Sequence, residues 1–260
     1  MILELDVGNT RIKWRQLETG SGRVLSTDAV SSVAELIAGT AGSAQPAMVR
    51  LCSVRTPETV AEIKAWVRDT WSIELQEAKV SQTCAGVSNQ YADPGRLGVD
   101  RWLAMIAAFH RRPGGCLIVD SGTAVTVDVV ATDGQHQGGY IVPGRGLMCR
   151  VLQEQTRIRL SDTEADASID PGHSTDAAVK HGVLAMQVAL VEKALRQLAA
   201  QATELNLYLT GGDAELLAAH LDLSECALGA RGAGQTRPPE IVSGLVLDGL
   251  AYACPGPDEG

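Results

Sequence analysis

Aromatic side chains make up only 3% of this 260-residue chain, with a single Phe among them, so the core must rely on Leu, Val, Ala and Ile. Basic charge is short as well. Twenty-two Lys and Arg stand against 31 Asp and Glu, for a net charge of −9. That excludes a broad nucleic-acid-binding face, which needs clustered Lys and Arg. An acidic protein can still bind phosphates if backbone amides and a metal ion form the cradle. No apolar run reaches the roughly 18 residues of a membrane-spanning helix, so none is expected. The 6 cysteines are scattered, with no C-x-x-C pair and no His at zinc spacing, and read as reduced, mostly core residues of a cytoplasmic protein. The first residues carry Glu4 and Asp6 and no basic stretch, which predicts a first strand and not a signal peptide. Neither G-x-x-x-x-G-K-[ST] nor a strand-borne G-x-G-x-x-G occurs. Any nucleotide must therefore be held without a Walker-type loop.

What is present is a pattern that occurs twice. Ile118-Val119-Asp120-Ser121-Gly122-Thr123-Ala124-Val125-Thr126 reads as a strand ending in an acid, a tight Gly turn and a returning strand. Ile2-Leu3-Glu4-Leu5-Asp6-Val7-Gly8-Asn9-Thr10 opens the chain in the same way, and Arg11-Ile12-Lys13-Trp14 follows it. The two acids lie a little under half the chain apart. Either turn alone is an ordinary hairpin, but the pair suggests a duplicated unit. Two acid-tipped turns facing each other across a cleft would suit a metal-bound polyphosphate. The length lies near the size at which cores divide into two lobes.

In order, strands are predicted over 2–7, 11–17 and 23–28, a short helix over 32–38 and a strand over 47–54. A helix then starts at Thr56-Pro57, with the hydroxyl as cap and Pro at the first position, and runs to about Asp69. Residues 79–97 read as loop, and the next helix runs from Asp100 to about Arg112. The second half repeats this with strands over 116–120, 123–131 and 137–142 and a helix over 147–155. A loop over 156–173 and a long helix capped by Ser174 come next. A strand over 205–210 ends in Thr210-Gly211-Gly212-Asp213-Ala214, 229–239 is a flexible connection, and 240–254 is a final amphipathic helix. Strand–strand–strand–helix–strand–helix, given twice, is neither a doubly wound dinucleotide fold nor a barrel. It divides the chain into lobes 1–114 and 115–254 with a tail, 255–260.

Phosphoryl transfer needs donors around the phosphates, an acid for the metal, and a base or positioner for the attacking hydroxyl. The amides of Gly8-Asn9-Thr10 and Gly122-Thr123 can supply the first. Asp6, at a strand end, suits a hydrated Mg²⁺, which takes only one or two carboxylates. Lys13 reads equally as a phosphate contact or a solvated strand Lys. At Leu97-Gly98-Val99-Asp100-Arg101-Trp102, Asp100 reads as a helix cap or as a base held toward a substrate hydroxyl. Trp102 reads as core, and the five histidines show no ligand pairing.

Five motifs, in order, carry a resemblance. They are D-x-G-N-T-x-x-K at Asp6–Lys13, G-x-D-R at Gly98–Arg101, D-x-G-T-A-x-T at Asp120–Thr126, G-G-x-I-x-P-G at Gly138–Gly144 and T-G-G-D-A at Thr210–Ala214. From residue 1 to about 254 the chain resembles type III pantothenate kinase. The resemblance implies an α/β fold of two ribonuclease-H-like lobes, the actin-like kinase superfold, each lobe a mixed sheet flanked by helices. It implies ATP-dependent phosphorylation of pantothenate, the first step toward coenzyme A. Asp6, Val7, Gly8, Asn9, Thr10, Arg11, Ile12, Lys13 and Thr123 would contact ATP, with Asp6 also holding Mg²⁺ through water. Tyr91, Gly98, Val99, Asp100 and Arg101 would hold pantothenate, with Asp100 as the base. Asp120 would coordinate a monovalent cation, K⁺ or NH₄⁺. Thr175 would complete the pantothenate site of the neighbouring subunit in a homodimer. Thr210–Asp213 receives no catalytic role. The rival expectations are another kinase of the superfold with a different small acceptor, and a nucleotide-binding transcriptional accessory protein. The acids at Asp6, Asp100 and Asp120 favour catalysis over the second.

Overall fold

The computed structural model describes residues 1–161, 167–200, 204–224 and 237–256. In the first sheet, β1 (Ile2–Val7), β2 (Ile12–Leu17) and β3 (Val24–Val30) run antiparallel, and β4 (Met48–Ser53) and β5 (Leu75–Glu77) add in parallel on the other side of β1. The order is β3-β2-β1-β4-β5. A hairpin, β6 (Thr83–Cys84) and β7 (Val87–Ser88), stands apart. The second sheet comprises β8 (Gly115–Ser121), β9 (Ala124–Val130), β10 (His136–Pro143), β11 (Leu205–Thr210) and β12 (Glu240–Ile241). Its order, β10-β9-β8-β11-β12, reproduces the first sheet strand for strand and sense for sense. The duplication expected from the two Asp-x-Gly turns is therefore a duplication of topology.

The helices are α1 (Val33–Thr40), α2 (Pro57–Trp71), α3 (Val99–Arg111), α4 (Arg145–Gln155), α5 (Thr175–Ala199), α6 (Ala214–Ala218) and α7 (Leu245–Ala253). Ser174 caps α5 as expected, its hydroxyl accepting from Ala177 N. Thr56 occupies the cap position of α2 with Pro57 inside it, but its hydroxyl accepts no backbone amide of that helix.

Strand alternation decides how the first sheet is used, because successive side chains point to opposite faces. Leu3, Leu5 and Val7 of β1 join Val49 and Leu51 of β4 in a core closed by Leu36, Ile63 and Val67 of the helices. Each such aliphatic side chain contributes about 1.5–3 kcal/mol on burial. The intervening residues, Glu4 and Asp6 on β1 and Arg50 and Cys52 on β4, share the other face. There the fully buried Glu4 accepts from Arg15 Nε at 2.6 Å and from Arg50 at 3.0 Å, and Arg15 also reaches Asp248 of α7 at 2.6 Å. Removing Glu4 would take a shared carboxylate from Arg15 and from the buried Arg50, a loss on the order of 3–5 kcal/mol. In the second sheet Leu117, Val119, Val125 and Val127 pack with Leu207 and Leu209 against Leu184, Val188, Val191 and Leu195 of α5.

The structure departs from the expectations at both sheet edges. The final helix begins at Leu245 and not at 240, because Glu240–Ile241 form β12 beside β11. β5 likewise falls where the sequence pattern predicts no strand. Both are edge strands of two or three residues, too short to show a period. Contacts divide the chain into two compact units, residues 1–107 with the C-terminal segment from Gly244, and 108–243. The boundary thus falls inside α3, ahead of the expected 114, and α7 packs on β1 and β4 of the first unit. Much of the expected connection at 229–239, the middle of the 156–173 loop and most of the tail lie outside the described residues.

Candidate active site

The candidate residues fall into two groups, one in each unit. In the first unit, Asp6 is the last acid of β1, 9% exposed, at the point where the strand gives way to the Gly8-Asn9-Thr10 turn. Its antiparallel partner is Lys13 and its parallel partner is Cys52. Residues directly opposed on neighbouring strands project from the same face. Asp6, Lys13 and Cys52 therefore form a row across three strands. Burial holds the Cys52 thiol well above the usual thiol range, and the charges of Asp6, Asp100 and Cys254 add to the effect. The neutral thiol donates to the Asp6 carboxylate. Nothing in the motif pattern points to Cys52; only the parallel register of β4 on β1 brings it there.

The Gly8 turn is tied down from β4. Val54 N donates to Val7 O at 3.1 Å, and Arg55 Nε donates to Gly8 O at 2.7 Å. Asn9, Thr10 and Arg11 beyond it are exposed, and Ile12 is buried in the core with Val7.

Asp100 and its neighbours are organised by the start of α3. Asp100 Oδ1 accepts from Arg101 N at 2.8 Å, so the carboxylate folds back over the first turn of the helix, where the dipole favours negative charge. A Cβ on Gly98 would lie 2.5 Å from that oxygen, so only Gly lets the carboxylate take this position. Asp100 is the second residue of α3 and not its cap, because the helix already begins at Val99, and its half-buried carboxylate lies over the first turn. Val99 opens the helix, and Trp102 is fully buried as expected. Arg101, 6% exposed, donates from a terminal nitrogen to Tyr91 Oη at 3.1 Å, with its guanidinium 6.0 Å from the Tyr91 ring centroid. Tyr91 and the Gly98–Arg101 motif are therefore brought together.

The residue that holds Tyr91 there belongs to none of the five motifs. Asn89 is fully buried; its Oδ1 accepts from Tyr91 N at 2.9 Å and its Nδ2 donates to Pro94 O at 3.4 Å. Its backbone N donates to Gln82 O at 2.9 Å, and Gln82 Nε2 donates back to Asn89 O at 2.6 Å. One side chain thus clamps both limbs of the loop that presents Tyr91. The Asn-x-Tyr spacing is the available signal, since Asn bonds its own backbone two residues on.

In the second unit three turns converge. Asp120, paired with Thr126 and Thr210, precedes a turn closed by Gly122 N to Ala124 O at 3.0 Å. Gly144, at the end of β10, donates to Thr123 O at 2.9 Å, and Asp213 N donates to Ser121 O at 3.0 Å. Gly211 has φ +93°, and a Cβ on it would lie 2.6 Å from Asp120 Oδ1 and overlap Ser121 O. The Thr210–Asp213 turn is thus pressed against the second Asp turn, a structural role that spacing alone does not assign. Thr123 is exposed at the tip, and Thr175 stands exposed at the first position of α5. Among the described residues no group of three His, Cys, Asp or Glu could hold a metal. No described helix is long and apolar enough to cross a membrane. Cys52, Cys84, Cys116, Cys149 and Cys254 are free.

Comparison with known proteins gives consistent matches. The family model for type III pantothenate kinase matches residues 2–197. A type III pantothenate kinase of Pseudomonas aeruginosa (strain LESB58) is 42% identical over 98% of this chain and 99% of its own length. One of Azotobacter vinelandii (strain DJ / ATCC BAA-1303) is 38% identical over 99% of this chain and all of its own. Among solved structures, a protein described as a Baf family transcriptional activator from Campylobacter jejuni superposes with a TM-score of 0.59 at 19% identity, over 95% of this chain and 94% of that one. One described as an N-acetylmannosamine kinase from Listeria monocytogenes gives 0.51 at 13% identity, over 97% of each. At those identities the structures speak for the fold alone.

Proposed function

The chain belongs to the type III pantothenate kinase family, and from that membership we propose that it transfers the γ-phosphoryl group of ATP to the terminal hydroxyl of pantothenate, giving 4'-phosphopantothenate and ADP at the start of coenzyme A synthesis. The observation that carries this reading is the start of α3. One helical turn holds the Asp100 carboxylate over its amides and sends Arg101 to Tyr91, so a base and two acceptor contacts occupy neighbouring positions. Asp100 takes the hydroxyl proton as the oxygen attacks the γ-phosphorus, and the bond to the bridging oxygen of ADP breaks. Tyr91, Gly98, Val99 and Arg101 orient pantothenate. The turn from Val7 to Arg11, with Lys13 beside Asp6, and Thr123 contact ATP.

The donor set suits the expected ions. A carboxylate at a strand end fits a hydrated Mg²⁺ that also takes phosphate oxygens, and Asp6 would hold it through water. The Asp120 carboxylate offers a hard oxygen suited to K⁺ or NH₄⁺, and the Gly211 backbone packs against that carboxylate and the Ser121 carbonyl oxygen. Either ion would supply positive charge against that of the phosphates.

We read the protein as a homodimer in which Thr175 completes the neighbouring subunit's pantothenate site. An open apolar groove of about 500 Å³ between α4 and α5 supports this, with Val151 and Met186 44% and 53% exposed along it on the helix that Thr175 opens and its neighbour. Free thiols and the acidic surface fit a cytoplasmic enzyme that engages neither nucleic acid nor membrane. Asp100→Asn tests the mechanism. It is expected to lower turnover by about 10²–10⁴-fold, the usual worth of a positioned base, while MgATP still binds. Retained turnover would remove Asp100 from its role.

A further inference from the structure

The Gly8 turn carries a cation that no motif announces. Arg55 lies two residues past β4, in the short link to α2, and is half-buried. Parallel pairing of β4 with β1 sets the ends of both strands side by side, so the link passes next to the turn. Three hydrogen bonds fix it there. Val54 N donates to Val7 O at 3.1 Å, Arg55 N donates to Ser53 Oγ at 3.2 Å, and Arg55 Nε donates to Gly8 O at 2.7 Å.

The last of these uses one of the five N–H donors of the guanidinium. The terminal nitrogens make no hydrogen bond or ion pair with another described residue. A charged fork anchored by one edge, with its other donors open, is more than a single neutral carbonyl requires. Beside a turn whose Asn9 and Thr10 are exposed, it is well suited to a phosphate, which takes Arg in a two-point, charge-assisted geometry. The bond to Gly8 O also fixes the guanidinium before any ligand arrives, so less side-chain freedom is lost on binding.

We propose that Arg55 is a phosphate-binding residue of the nucleotide site, contacting the polyphosphate of MgATP from the β4 side of the Gly8 turn. The proposal rests on the reading that this turn is the ATP end of the site. Asp6 and Lys13 flank the same turn, and the three would divide the work. Asp6 meets the hydrated metal, while Lys13 and Arg55 balance phosphate charge from β2 and from the β4 link.

Titration calorimetry of the full-length protein with MgATP tests this without needing an acceptor. Two substitutions separate charge from scaffolding. Gln in place of Arg55 can still donate to Gly8 O but has no charge; Lys keeps the charge but loses the fork. Arg55→Gln is expected to weaken MgATP about ten-fold or more, the worth of a hydrogen bond to a charged group. Arg55→Lys should fall between it and the wild type, and both should melt within a few degrees of wild type. Arg55→Gln binding MgATP as wild type does would overturn the proposal. So would equal losses in both variants together with a lowered melting temperature, because that marks a scaffold for Gly8. Asp6→Asn and Lys13→Ala form the separate arm. If neither affects MgATP binding, the turn is not the nucleotide site, and the underlying reading fails whatever Arg55 does.

Discussion

Asn89 and Asp100 do their work through backbone amides a residue or two away. Asp100 lies over the amide that follows it, and Asn89 accepts from the amide of Tyr91 while its own amide group holds Pro94. Asn89→Ala would take that partner from a partly buried amide and carbonyl, a cost of about 1–3 kcal/mol in all, concentrated in the loop and not in either core. The expected result is a rise in KM for pantothenate of about ten-fold with KM for ATP unchanged, read from steady-state kinetics. A parallel rise in both would place the effect outside the acceptor loop. Asp100, Arg101 and Tyr91 are legible in the sequence because each stands inside or close to a motif. Asn89 lies outside every motif and carries only the local Asn-x-Tyr signal, because it acts on its own loop. Cys52 and Arg55 carry none: they reach the site through strand pairing between segments some 45 residues apart, which a linear reading does not contain.

At the scale of elements, each candidate turn is positioned by a parallel neighbour. β4 supports the first Asp turn and β11 the second, at the same place in the two sheets. The second is the tighter arrangement, because Gly211 at φ +93° is packed against both Asp120 and Ser121. A side chain at such a φ costs about 1–3 kcal/mol before any overlap is counted. Gly211→Ala should lower the urea midpoint accordingly and weaken activation by K⁺, since the added methyl would overlap Asp120 Oδ1 and push the carboxylate from its position. Unchanged K⁺ activation in a destabilised variant would separate Asp120 from the cation. The principal strands and helices are readable from alternation and capping: Ile2–Val7 and Leu205–Thr210 fall where the pattern puts them. The edge strands Leu75–Glu77 and Glu240–Ile241 are not. Two or three residues carry no period, and only their pairing to β4 and β11 defines them.

For the whole molecule, duplication is the organising fact, and the two Asp-x-Gly turns make it visible in the linear chain. The return of α7 to the first unit is not visible there: its apolar residues Leu245, Leu247 and Leu250 suit a core in either unit, and only the folded chain shows Asp248 meeting Arg15 beside Glu4. The groove between α4 and α5 exposes Val151 and Met186, and the proposed homodimer is tested there. Met186→Asp, which puts a charge in that groove, should shift the sedimenting species from two chains to one and remove turnover; a dimer that persists would exclude this face as the interface. Phosphorylation of pantothenate is tested most directly by ADP release in a coupled assay with MgATP and pantothenate, run in K⁺ and again in Na⁺. The expected result is ADP release that requires pantothenate and falls sharply when Na⁺ replaces K⁺. ATP bound without pantothenate-dependent turnover, or turnover with a sugar or carboxylate acceptor in its place, would contradict it.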